Sequence, residues 1–113
     1  MNQQDIVWVK VPFSNLEEEK IRPALIVSNT EYNAKNLDVI ICAITSNLEQ
    51  RLYSVFLSQK NLSDGKLSIN SKIKADKIMQ VEKSRIIGQF AILNDETFDL
   101  VVKEIEKLIS RSK

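Results

Sequence analysis

No histidine occurs among the 113 residues. Histidine is the side chain whose unperturbed pKa lies nearest neutrality, so a Ser-His-Asp hydrolase, a Cys-His protease and a two-histidine ribonuclease are all excluded. Chemistry here must come from Arg, Lys, Glu, Asp, Ser, Thr or Tyr. Three groupings of these types stand out: the carboxylate run Glu17 to Glu19, the hydroxyl pair Thr45 and Ser46, and a cationic stretch from Lys66 to Arg85. That stretch carries six cations against Asp76 and Glu82, a local balance of +4 within a chain whose net charge is only +1. It suits contact with phosphates, since Lys and Arg neutralise a nucleic-acid backbone, and it equally suits a solvated strand face. Arg22 is placed to pair with the Glu17–Glu19 run, a surface ion pair worth about 0–1 kcal/mol. Thr45 and Ser46 read, on their own, as strand-end residues that cap the backbone. The single Cys42 sits in an apolar run and reads as a small core residue. The Glu triplet has no companion to complete a metal site, so no metal or other cofactor is expected.

Those groups need elements to hold them. At 43% hydrophobic and 27% charged residues the composition is that of an ordinary globular chain, and the length fits one domain with one core. The longest apolar run, Val39 to Ile44, is far short of the roughly 20 residues of a membrane span, so a cytoplasmic protein without membrane contact is expected. Residues 1–93 read as short strands: Ile6 to Val11, halted by Pro12; Arg22 to Ser28; Asp38 to Ile44, apolar at nearly every position as for a strand covered on both faces; Tyr53 to Leu57; a strand beginning at Ser71; and Ile86 to Leu93. Asn29 to Leu37 and Ser58 to Lys66 read as turns. Ser71, Ile73 and Ala75 share one face and Lys72, Lys74 and Asp76 the other; Ile78 breaks that alternation, which predicts a bulge or bend near Ala75. Over residues 94–112 the period becomes helical, with Phe98, Val101, Val102, Ile105, Leu108 and Ile109 on one stripe behind Asn94 or Asp95 as N-cap. The expected fold is mainly β, a barrel or strongly bent sheet of about five to seven strands with one C-terminal amphipathic helix. Trp8, in an alternating strand, is expected in the core or at a dimer interface.

Read in order, Asp5-Ile6-Val7-Trp8-Val9, Lys20-Ile21-Arg22-Pro23-Ala24-Leu25-Ile26-Val27, Glu31-Tyr32-Asn33, Ile44-Thr45-Ser46, Ser71, Asp76-Lys77-Ile78 and Ile87-Gly88 form a set spanning roughly residues 4 to 90. With that set the chain resembles the MazF/PemK toxins of toxin–antitoxin systems. The resemblance implies an SH3-like barrel of the CcdB/MazF/PemK type. It also implies a homodimer, metal-independent cleavage of single-stranded mRNA at short sequences, and inhibition by a cognate antitoxin that lays an acidic, partly disordered segment over the same groove. The family's essential arginine would be Arg22 and its essential hydroxyl Thr45; an acidic residue five places before the arginine would be Glu17. Lys20, Ser46, Ser71, Lys72, Lys74 and Lys77 are the expected substrate contacts. Gln4 stands where the family usually has a glycine before the first aspartate.

Such chemistry is consistent with the absence of histidine. RNA brings its own nucleophile, the 2′-hydroxyl, and a protein that aligns it with the adjacent phosphorus need not supply one. A planar guanidinium matches the charge that builds on phosphate oxygens, though it is a poor proton donor. Adjacent strand residues point to opposite faces, so Thr45 and Ser46 both face Arg22 only if the strand stops between them. The alternative is a non-catalytic binder on the same barrel, either a gyrase-poison-like toxin or a nucleic-acid-binding module; the Arg22 and Thr45 pair separates the two, because only cleavage requires it.

Overall fold

The computed structural model describes residues 1–12 and 19–112. Glu17 and Glu18 therefore lie outside the described residues, and of the acidic run only Glu19 is placed. The strands are β1 (Asp5–Pro12), β2 (Glu19–Ile26), β3 (Asp38–Thr45), β4 (Ser54–Leu57), β5 (Leu62–Gly65), β6 (Ser71–Glu82) and β7 (Ile86–Leu93). Helix α1 (Thr30–Lys35) lies between β2 and β3, and α2 (Asp95–Ile109) closes the chain. All strands join one seven-stranded antiparallel sheet in the order β4-β6-β3-β2-β1-β7-β5. The sheet curls into a half-barrel with α2 packed on it.

The nearly continuous apolar runs of β1, β2 and β3 follow from their central position, where both faces are covered. On one face Ile6, Leu25, Cys42, Ile44, Leu57 and Ile73 cluster beneath Phe98 and Val101 of α2. On the other, Val7, Val9, Ala24, Ile26, Val39 and Ile41 cluster with Met79 and Val81 from the far half of β6. Within each strand the two sets alternate, as the two-residue period of a strand demands. The bend expected near Ala75 is present: Cys42 pairs with Ile78, whereas Ile44 pairs with Ile73, so β6 carries extra residues between these rungs. The turn lets the first half of β6 bridge β3 and the edge strand β4, while its second half continues along β3.

Three segments depart from the expectations. The polar stretch after β2 holds α1, whose six residues are too few to display an apolar stripe; Asn29 caps it by accepting from the Tyr32 amide at 2.8 Å, and Glu31 pairs with Lys35. The stretch expected as a turn from Ser58 contains β5, which offers one apolar residue and is recruited by pairing with β7. In α2, capped by Asn94 as expected, Phe98 and Val101 are buried, but Leu108 and Ile109 are 39% and 74% exposed. Trp8, expected in the core or at a dimer interface, is 38% exposed and stacks on Phe90 with ring centroids 4.6 Å apart.

Gln4, just before the first aspartate, has an unusual backbone conformation. Gln4 adopts φ 78, the left-handed region in which a side chain costs about 1–2 kcal/mol. Its side-chain amide offsets that cost by donating to the Leu93 carbonyl at 2.8 Å and to Asp95 Oδ1 at 3.0 Å, tying the start of β1 to the start of α2. Gln4→Ala keeps the backbone cost and loses both bonds, so it should destabilise the fold by about 1–2 kcal/mol; Gln4→Gly exchanges one for the other and should stay within about 1 kcal/mol of wild type. Urea unfolding midpoints of the two variants check this, and an alanine variant as stable as the glycine one would refute it.

Candidate functional site

The site follows from how the β2–β3 ladder ends. Its last rungs are Ile26 with Ile41, Leu25 with Cys42 and Ala24 with Ala43. Continuing that register by one same-face step leads to Arg22 on β2 and Thr45 on β3. The ladder does not continue to them: Arg22 remains paired with Val9 of β1, and Thr45 with Lys72 of β6. The opening between the strands is a groove of about 770 Å³. Its apolar floor includes Val9, Ala24, Ile41 and Met79 from the second cluster. Its polar lining, among the described residues, carries five cations, Lys10, Arg22, Lys74, Lys77 and Arg85, against one carboxylate, Glu82. A cationic wall over an apolar floor matches a ligand with phosphates along one side and flat apolar surfaces along the other.

Arg22 is exposed. Thr45 is half-buried, and its Oγ1 accepts from the Asn47 amide at 3.1 Å, so the strand-capping role and the groove position coincide in one residue. Accepting from that amide leaves the hydroxyl proton available as a donor. β3 stops at Thr45, which frees Ser46 from strand alternation, and both residues line the groove.

Of the other expected contacts, Lys74 and Lys77 join this lining. Lys20 is an exposed β2 residue paired with Val11, beyond the lining. Lys72 donates to the Glu49 carbonyl at 2.9 Å and fastens the β3–β4 loop. Ser71 is 3% exposed and gives its hydroxyl to the Ile69 carbonyl at 3.0 Å; it begins β6 on the same face as buried Ile73, so the expected substrate contact is turned into the interior. Arg85 joins the site although sequence reasoning saw it only as part of a basic stretch. Its Nη1 lies 3.4 Å from Glu19 Oε1 and donates to the Lys10 carbonyl, linking the β6–β7 turn to both groove-side strands. A cation following a strand and a carboxylate opening another were the only sequence signals for it. Cys42 is fully buried, and burial, aided by the charge of Asp76, pushes its thiol up to about 12, so it is inert at neutral pH.

The fold is shared with structurally characterised MazF proteins. An endoribonuclease in complex with its cognate antitoxin from a mycobacterial species superposes with a TM-score of 0.80 at 16% identity, covering 100% of this chain and 98% of that one. MazF in a MazE–MazF crystal structure from Deinococcus radiodurans gives 0.81 at 20% identity, covering 99% and 98%. The Mycobacterium tuberculosis toxin MazF-mt6 gives 0.77 at 16% identity, covering 96% and 99%. No curated protein matches the sequence. Residues 2–109 match the family described as the PemK-like, MazF-like toxin of type II toxin-antitoxin systems, and the chain belongs to that family. No helix among the described residues is long and apolar enough to cross a membrane.

Proposed function

We propose that this protein is a cytoplasmic toxin that cleaves single-stranded mRNA without a metal, acts as a homodimer, and is silenced by an acidic antitoxin competing for the same groove. The observation that carries this reading is that Arg22 and Thr45 line one groove where the β2–β3 ladder ends, together with Lys74, Lys77 and Arg85. Family membership supports the toxin role, and solved MazE–MazF and endoribonuclease–antitoxin complexes of the same fold support the partner.

In the proposed reaction the RNA 2′-oxygen bonds to the adjacent phosphorus and the bond from phosphorus to the 5′-oxygen breaks. A proton leaves the 2′-hydroxyl and one arrives at the 5′-oxygen, giving a 2′,3′-cyclic phosphate and a 5′-hydroxyl. Arg22 opposes the charge that builds on the phosphate oxygens, and Thr45 adds a hydrogen bond to them. Lys74 and Lys77 hold flanking phosphates, with Lys20 and Lys72 outside the groove extending that contact, and Ser46 faces a base. Glu17 is assigned to accept the 2′-proton.

The test incubates the purified protein with a mixed-sequence single-stranded RNA in EDTA and maps both ends of each fragment. Cleavage should persist, every upstream fragment should end in a cyclic phosphate, and added antitoxin should stop it. Cleavage abolished by EDTA would sink the mechanism. Tight RNA binding with no cut on any sequence would favour the non-catalytic binder on this fold.

A further inference from the structure

The edge strand β4 buries Val55 and Leu57 in the core beneath α2 and turns Phe56 outward, 46% exposed. Its neighbour β6 connects that ring to the groove. Lys72 pairs with Thr45 on one side and with Phe56 on the other. Directly opposed residues of antiparallel strands share a face, so Thr45, Lys72 and Phe56 form one row across three strands. Lys74, a groove residue, stands opposite Ser54 in the adjoining row. Lys72 also holds the Glu49 carbonyl, which keeps the loop after Thr45 against this row.

We propose that this row is a nucleotide subsite continuing the groove, in which Phe56 stacks one unpaired base and Lys72 and Lys74 attract the neighbouring phosphates. The inference rests on the single-stranded RNA reading above and adds where the strand goes after Thr45. Two strand spacings of about 4.8 Å separate Thr45 from Phe56, roughly 10 Å in all. At a rise of about 3.4 Å per stacked nucleotide, the stacked base lies within about three nucleotides of the phosphate held at Thr45. An exposed ring on an edge strand would otherwise be a liability for aggregation; flanked by two lysines, it matches the alternation of base and phosphate instead. Stacking on an aromatic tolerates any base, so the subsite contributes affinity more than sequence choice.

The experiment measures two quantities on the full-length chain. One is binding of a fluorescent, mixed-sequence pool of single strands carrying 2′-deoxyribose throughout, which cannot be cleaved by the proposed route. The other is cleavage of the all-ribose pool. Phe56→Ala should weaken binding about 5- to 150-fold, with the loss in cleavage falling on KM more than on kcat, and leave the salt dependence of binding unchanged. Phe56→Trp should restore affinity, and Phe56→Leu should not. Lys72→Gln should instead lower the slope of log affinity against log salt by about 0.7, the value for one phosphate on a single strand. Unchanged binding in Phe56→Ala, or equal rescue by leucine, overturns the subsite while leaving the ribonuclease reading intact. Binding that depends on Phe56 in a protein that cuts no RNA supports the subsite and overturns the ribonuclease reading. Failure of the wild type to bind either pool overturns both.

Discussion

Replacing Arg22 with alanine is expected to lower kcat for RNA cleavage by at least about 10³-fold while leaving the fold in place. The estimate comes from phosphoryl-transfer sites, where an arginine meeting the transition-state charge contributes about 10³–10⁵ in rate. Three features of Arg22 make that range appropriate. No histidine is present to share the charge. The groove floor is apolar, which lowers the local dielectric and strengthens a cation's effect. Finally, Arg22 sits one same-face step past the last β2–β3 rung, so its anchoring strand is held while its head group reaches the opening. Arg22→Lys restores the charge but not the planar, two-pronged donor geometry, and should remain about 10²-fold or more below wild type. Because Arg22 is exposed, loss of its surface contacts should move stability by no more than about 1 kcal/mol. Single-turnover rates on one defined RNA, measured beside urea unfolding curves, decide the matter. Alanine activity within tenfold of wild type would remove Arg22 from the chemistry.

The second large effect concerns one oxygen. Thr45→Val preserves shape and β-branching but deletes the hydroxyl, and should lower kcat by about 10²–10³, corresponding to about 2.7–4 kcal/mol of barrier for one lost donor to a developing oxyanion. Thr45→Ser keeps the donor and should stay within about tenfold. The valine substitution removes the oxygen to which the Asn47 amide donates, but Asn47 is exposed and water can take that place, so the stability cost should be about 1 kcal/mol or less. A valine variant whose stability falls by several kcal/mol with kcat unchanged would assign Thr45 to the strand end alone. The two effects are separable because they are read on different axes.

Local signals made much of this protein legible in advance. Alternation marked β1, the unbroken apolar run of β3 announced a strand covered on both faces, and the change to helical period located α2 and its Asn94 cap. The misplaced alternation at Ile78 even located the bend in β6. What escaped was everything whose cause is a distant strand. β5, with a single apolar residue, is a strand because β7 offers it a partner. The two-residue period put Ser71 on the face of Ile73, but that this is the covered face of β6 depends on the packing of the whole sheet, as does the 38% exposure of Trp8. Arg85 was visible as charge but not as a groove residue, since that depends on where the β6–β7 turn falls relative to β1 and β2.

The amino-acid sequence alone determined the class of fold, the residues capable of chemistry and, through the absent histidines, the kind of chemistry open to them. These depend on side-chain type and on periods of two and about 3.6 residues, all of which are local properties. Tertiary structure decided which candidates share a groove. Arg22 and Thr45 lie 23 positions apart in the chain and line one groove because the β2–β3 ladder, whose end rung is Ala24 with Ala43, opens before it reaches them. The curl of the sheet turns a nearly neutral chain into one with a concentrated cationic groove, and it aligns Phe56, Lys72 and Thr45 across three strands. Register is a pairing between distant segments, and a one-residue slip would have sent each of these side chains to the opposite face.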